Sequence, residues 1–120
     1  MKRVYLDSSA FVKIVVNETE SAALRKWLHS RAWTTSVLSR AEVLRAVRIH
    51  GAGAVETARR MLGLGELVRI SPALLDLSAS LGPVELRTLD AIHLAAASLL
   101  GRDLLAVVTY DQRMAAAAQS

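Results

Sequence analysis

Four carboxylates carry the chemical interest of this sequence: Asp7, Glu42, Asp90 and Asp111. Asp7 follows Val4-Tyr5-Leu6 and interrupts an apolar opening. Asp111 closes Thr109-Tyr110-Asp111, just after the apolar run Leu104 to Val108. Glu42 and Asp90 fall in the early turns of predicted helices. Carboxylates brought to one place repel and raise each other's pKa. A divalent cation removes that cost, and an all-oxygen set suits Mg²⁺, with Mn²⁺ as its substitute. Such a site activates a water and stabilises the attacking and leaving oxygens of a displacement at phosphorus. The chain has no cysteine, so thiolate ligands and a cysteine nucleophile are excluded. Metal-assisted hydrolysis needs neither.

Each acid taken alone also has a structural role open to it. Asp7 and Asp111 have the position of helix caps. Glu42 follows Ser39 by three residues, the spacing of a capping box. Asp90 suits the positive end of a helix. Their joint position is what points to a site.

The elements that would position them read as strands alternating with helices. Val4 to Leu6, Trp33 to Thr35, Leu67 to Ile70 and Leu104 to Thr109 are predicted strands, the last fully buried. A helix is predicted over Ser9 to Val16, and the spacing of Leu24, Trp27 and Leu28 predicts a second. Ser36 is positioned to cap a third helix through His50, ended by Gly51 and Gly53. Further helices span Val55 to Leu62, the segment opened by Ser71-Pro72, Leu89 to Leu100 capped by Thr88, and Asp111 to Gln119. Four short strands separated by helices imply a parallel sheet covered on both faces. Ligands in such folds bind beyond the carboxyl ends of the strands, where Asp7 and Asp111 lie.

A length of 120 residues implies one domain, 1–120, without internal repeats. The net charge is +4, and arginine supplies twelve of the fifteen basic residues, which allows a polyanionic partner. Hydrophobic residues make up 52%, enough to leave apolar surface for a protein partner. No stretch reads as a signal peptide or a membrane span. With no cysteine, a cytoplasmic location is the expectation.

Asp7-Ser8-Ser9-Ala10, Glu42, Leu89-Asp90-Ala91-Ile92-His93-Leu94-Ala95 and Thr109-Tyr110-Asp111-Gln112-Arg113-Met114 together resemble a PIN-domain nuclease. Within that family the chain is similar to the VapC-type toxins of bacterial toxin–antitoxin pairs, over almost its whole length. The resemblance implies a three-layer α/β/α sandwich around a parallel sheet. It implies a Mg²⁺-dependent endoribonuclease that hydrolyses RNA by a metal-activated water, with tRNA and rRNA as candidate substrates. A VapB-type antitoxin that fills the active-site groove and a homodimer of the toxin are implied as well. By match, Asp7, Glu42, Asp90 and Asp111 are the metal-site acids, and Ser8 and Thr109 are supporting hydroxyls. Family members commonly continue into a final short strand where this sequence stops at Gln119-Ser120, so the last edge strand is expected to be lacking.

Arg45 and Arg87 lie three residues from Glu42 and Asp90, a spacing for pairing along a helix. With Arg113 they are also candidates for RNA or antitoxin contact. His93, one turn from Asp90, is placed to orient a carboxylate or a water, but reads first as a satisfied histidine on a packed helix. Trp27 and Trp33 read as packing residues. A dinucleotide module is disfavoured because Gly51-Ala52-Gly53 and Gly63-Leu64-Gly65 follow helices rather than strands. A phosphoacceptor domain needs a late lysine, and every lysine lies at or before Lys26. DNA-directed nucleases of this fold are usually larger and carry further acids. The alternative that survives is a catalytically inactive PIN-fold module that binds RNA or protein.

Overall fold

Alternation along one short strand organises the molecule. In the computed structural model, which describes residues 1–119, β1 (Arg3–Leu6) lies at the centre of a parallel sheet. β2 (Trp33–Thr34) pairs on one side and β3 (Leu104–Val108) on the other, in the order β2-β1-β3. Successive side chains of a strand point to opposite faces. Val4 and Leu6 therefore enter one core and Tyr5 enters the other.

The first core is built with α1 (Ser8–Val15), α2 (Ser21–Leu28), α3 (Leu38–Val47) and α4 (Ala52–Leu62). Phe11, Ile14, Leu24, Val43, Val47 and Leu62 pack there against Val4 and Leu6. The second core is built with α5 (Pro72–Ser80) and α6 (Thr88–Ser98), from which Leu74, Ile92, Ala95 and Ala96 meet Tyr5. The small side chains of Ala95 and Ala96 let α6 pack closely. α7 (Gln112–Gln119) follows β3 and buries Met114. Helices on both faces of a parallel sheet give the expected three layers.

Local chemistry explains the boundaries. Ser71 caps α5, its hydroxyl accepting from the Leu74 amide at 3.1 Å, with Pro72 at the first helical position. Gly51 ends the turn after α3 with φ 97°, a left-handed conformation that suits glycine.

The structure corrects several expectations. Residues 67–70 do not form a strand. Val68 makes one isolated parallel bridge to Ser36, past the end of β2, with hydrogen bonds to Thr35 and Val37. Val68 and Ile70 pack against the second core, but Glu66 and Arg69 are exposed and the pairing stops at that single bridge. α4 starts at Ala52, which places Gly53 inside it rather than in a loop. Ser36 binds the Leu38 amide, but the residue before α3 is Val37 and the helix becomes a 3₁₀ turn over Arg48–His50. Thr88 is the first residue of α6 and not its cap. β3 is not fully buried: it lies at the sheet edge, where Leu105 is 50% exposed.

The Ser71 cap makes a local prediction. Ser71→Ala should cost about 1 kcal/mol of unfolding free energy. Denaturant titration should show it as a lowered midpoint with an unchanged slope.

Candidate active site

The carboxyl ends of β1 and β3 are tied together by one carboxylate. Asp7 follows β1, caps α1 and is only 4% exposed. Its Oδ1 accepts from the Ser9 hydroxyl at 2.7 Å and the Ala10 amide at 2.9 Å. Its Oδ2 accepts from the Thr109 hydroxyl at 2.5 Å, just past β3. The Ser9 oxygen in turn accepts from the Tyr110 amide, and the Thr109 oxygen from the Asp111 amide. The cap expected of Asp7 is real, and the same side chain anchors the far strand.

Asp111 is also a cap. Its Oδ1 accepts from the amides of Arg113 at 2.9 Å and Met114 at 3.1 Å. Oδ2 accepts from the Arg87 guanidinium at 2.8 Å. Arg87 reaches back to Asp90 in the first turn of α6, at 3.3 Å. The helix pairing expected of Arg87 is present, and it extends to a second acid 24 residues away.

These environments push the acids apart in proton affinity. Burial raises the Asp90 pKa, and the charges of Asp111 and Asp7 raise it further against the opposing Arg87. The Met114 and Arg113 amides and the Arg87 and Arg113 charges hold Asp111 below its ordinary value, outweighing its burial. Burial is the largest single influence on Glu42 and raises it, but hydrogen bonds from His93 and Ser8 leave it lowered.

Glu42 joins the cluster through α3. The capping box with Ser39 does not form, because α3 starts at Leu38 and Ser39 is already inside it. The Ser39 hydroxyl bonds Thr35 and Ser8 instead. Glu42 Oε1 accepts from Ser8 at 2.5 Å and lies 2.7 Å from His93 Nε2. Glu42 and Asp90 line one cavity of ≈ 290 Å³ with Arg87, Thr88 and Leu89. Arg87 also lines an adjoining cavity of ≈ 410 Å³ with Tyr110, Asp111 and Arg113. Glu42, Asp90 and Asp111 thus border two cavities that share Arg87, while Asp7 lies buried at the end of β1 and lines neither. A cavity bounded by Leu81, Leu94 and Val107 lies elsewhere and carries none of them.

Among the described residues, no three His, Asp or Glu side chains form a ready-made metal group. The donor set nevertheless suits a hard divalent cation. It consists of carboxylate and hydroxyl oxygens, and Asp90 sits among negative charges that raise its pKa. Mg²⁺ keeps several waters and needs only one or two carboxylates from a protein.

The Ser8 hydroxyl donates to Glu42, and the Thr109 hydroxyl donates to Asp7. Arg45 is exposed on α3 and makes no ion pair with Glu42 among the described residues. Arg113 is exposed at the rim, and its backbone amide serves Asp111. The sequence pattern did not mark Ser9 and Tyr5 as site residues, and it offered Ser39 only as a capping partner of Glu42. The available signals were the hydroxyl pair after Asp7 and a phenol inside an apolar strand, where a buried hydroxyl needs a partner.

The comparisons agree with this geometry. A family model described as PIN domain matches residues 4–119. Ribonuclease VapC46 of Mycobacterium tuberculosis is 50% identical over 121 residues, covering 100% of this chain and 93% of the relative. Ribonuclease VapC47 of the same species is 39% identical over 117 residues, covering 92% and 86%. The crystal structure of M. tuberculosis VapC20, described as a sarcin-ricin loop cleaving toxin, matches with a TM-score of 0.75. It covers 95% of this chain and 94% of that one at 14% identity, so it speaks for the fold alone. The family match and the named relatives together define a class of ribonuclease. The chain belongs to the PIN-domain family, and within it to the VapC ribonucleases.

The raised Asp90 pKa has a consequence for stability. The folded chain holds this proton to higher pH than the unfolded chain does. The associated stabilisation is complete below the ordinary aspartate value and is lost as pH rises through the raised one. With chelator present, Asp90→Asn should therefore raise the thermal midpoint at neutral pH. The difference should close as pH falls below the ordinary aspartate value. An unchanged or lower midpoint at neutral pH would contradict the crowding of charge described above.

Proposed function

We propose that this chain, as a single PIN domain over residues 1–120, is a Mg²⁺-dependent endoribonuclease toxin of a toxin–antitoxin pair. The observation that carries the reading is Asp90, which lines a cavity with Glu42 and lies near enough to Asp111 and Asp7 for their charges to raise its pKa. The ribonuclease names of its full-length relatives support the substrate class.

Asp90, Asp7, Glu42 and Asp111 would hold Mg²⁺ or Mn²⁺. When bound, that cation supplies Lewis acidity, an acidified water and neutralisation of charge on the phosphate. The chain's own residues do the positioning. Ser9, the Ala10 amide and Thr109 fix both oxygens of Asp7. Ser8 fixes Glu42. The backbone amides of α7 orient Asp111, leaving Oδ2 toward Arg87. Arg87 is 62% exposed at its side chain and borders both cavities, so it can exchange a carboxylate for an RNA phosphate. Arg45 and Arg113 are exposed arginines suited to RNA backbone or to acidic residues of a VapB-type antitoxin.

The VapB-type antitoxin and the homodimer are part of the same proposal, with exposed apolar side chains such as Val84 (98%) and Leu99 (58%) available to such contacts. No helix among the described residues is long and apolar enough to cross a membrane, and a cytoplasmic location remains part of the proposal. The second reading is a PIN-fold module that binds RNA or protein without cutting. The lack of a ready-made metal group among the described residues favours it.

Purified chain incubated with total RNA should yield discrete fragments with Mg²⁺ or Mn²⁺. Chelator should abolish them, and Asp90→Asn should leave no cleavage above background. A folded, partner-free chain that binds RNA but never cuts it, at any Mn²⁺ concentration, would establish the second reading instead.

A further inference from the structure

His93 is 2% exposed, yet it bridges the two faces of the molecule. It sits on α6 one turn beyond Asp90. Its Nδ1 lies 2.7 Å from the hydroxyl of Tyr5, the one β1 side chain that enters the α5–α6 core. Its Nε2 lies 2.7 Å from Glu42 Oε1, on α3, and 3.1 Å from the Ser8 hydroxyl. A histidine serving only as core filling would need one partner for each nitrogen. This one spends its second nitrogen on an acid of the candidate site.

The directions of these bonds follow from their surroundings. Burial pushes the Tyr5 phenol well above its ordinary pKa, so it keeps its proton. Among the described residues, the side-chain partner within hydrogen-bond distance of the phenol is His93 Nδ1, at 2.7 Å. The phenol proton is thus free to go to His93 Nδ1. A neutral imidazole that accepts at Nδ1 must carry its own proton on Nε2. That N–H then donates to Glu42. Ser8 donates to the same oxygen, Oε1, so Oε2 is left for the cavity shared with Asp90.

We propose that His93 is a positioning residue for Glu42, and that Tyr5 sets the imidazole tautomer that lets it act. The chain Tyr5 to His93 to Glu42 links β1, which Asp7 directly follows, to α6 and α3, which carry Asp90 and Glu42. It fixes one oxygen of Glu42 so that the other is presented beside Asp90. The proposal rests on the metal-site reading above. Outer-sphere partners of this kind are typically worth about 10–100-fold in metal affinity.

Two measurements test it. The first needs no metal: ¹⁵N NMR of the imidazole in the intact, chelator-treated chain. The Nε2–H tautomer is expected at neutral pH, with the Nδ1 resonance moving in Tyr5→Phe. An Nδ1–H tautomer or an imidazolium would overturn the proposal. The second is Mn²⁺ titration by calorimetry of the parent, His93→Leu, His93→Gln and Asp7→Asn. We expect His93→Leu to bind roughly 10–100-fold more weakly. His93→Gln, which keeps an N–H donor, should recover most of that loss. If Asp7→Asn loses Mn²⁺ while a folded His93→Leu binds like the parent, His93 is core packing and the proposal fails alone. If Asp7→Asn also binds like the parent, the metal-site reading fails and takes the proposal with it.

Discussion

The structure depends on placing a carboxylate where almost no water reaches it. Asp7 is 4% exposed at the end of the central strand. An ionised group taken from water must be paired or hydrogen-bonded. Its two oxygens receive three protein donors, from Ser9, Ala10 and Thr109. Two of these donors start α1, and the third holds the end of β3. The polar requirement of one side chain thus sets where a helix begins and how an edge strand meets the centre of the sheet.

The other acids repeat the pattern of double employment. Asp111 starts α7 with one oxygen and meets Arg87 with the other. Glu42 gives one oxygen to Ser8 and His93. Asp90 differs, because among the described residues its cationic partner is the exposed Arg87, and it lies near the charges of Asp7 and Asp111. The cluster is therefore uneven. Some members are anchored by the fold, and one is held under electrostatic pressure. Pairs of acids with separated proton affinities are a common arrangement where chemistry is done.

The hydroxyls complete this frame. Ser8, Ser9, Thr35, Ser39 and Thr109 are short side chains that bridge strand ends to helix starts. Among the described residues, no buried side-chain polar atom lacks a hydrogen-bond partner. Such complete satisfaction in a poorly hydrated region favours one arrangement of the site over its alternatives.

Local patterning by itself marked the helices, the central strand and the four acids as candidates. Those features depend on spacing, cap chemistry and apolar runs within a few residues of each other, as Ser71-Pro72 and Asp7-Ser8-Ser9 illustrate. Glycine placement was a weaker guide, since Gly53 lies within α4. Residues 67–70 carry strand-forming side chains, but whether they pair depends on what they can bury against, and they make one bridge. The partners of the acids were decided only by the tertiary structure. Ser39 is three residues from Glu42 in the chain, yet Glu42 binds Ser8 and His93, 34 and 51 residues away. Tyr5 meets His93 across 88 residues because strand alternation turns it away from Val4 and Leu6. A side chain's type is written locally, but its hydrogen-bond partner is chosen by which faces the packed layers bring together.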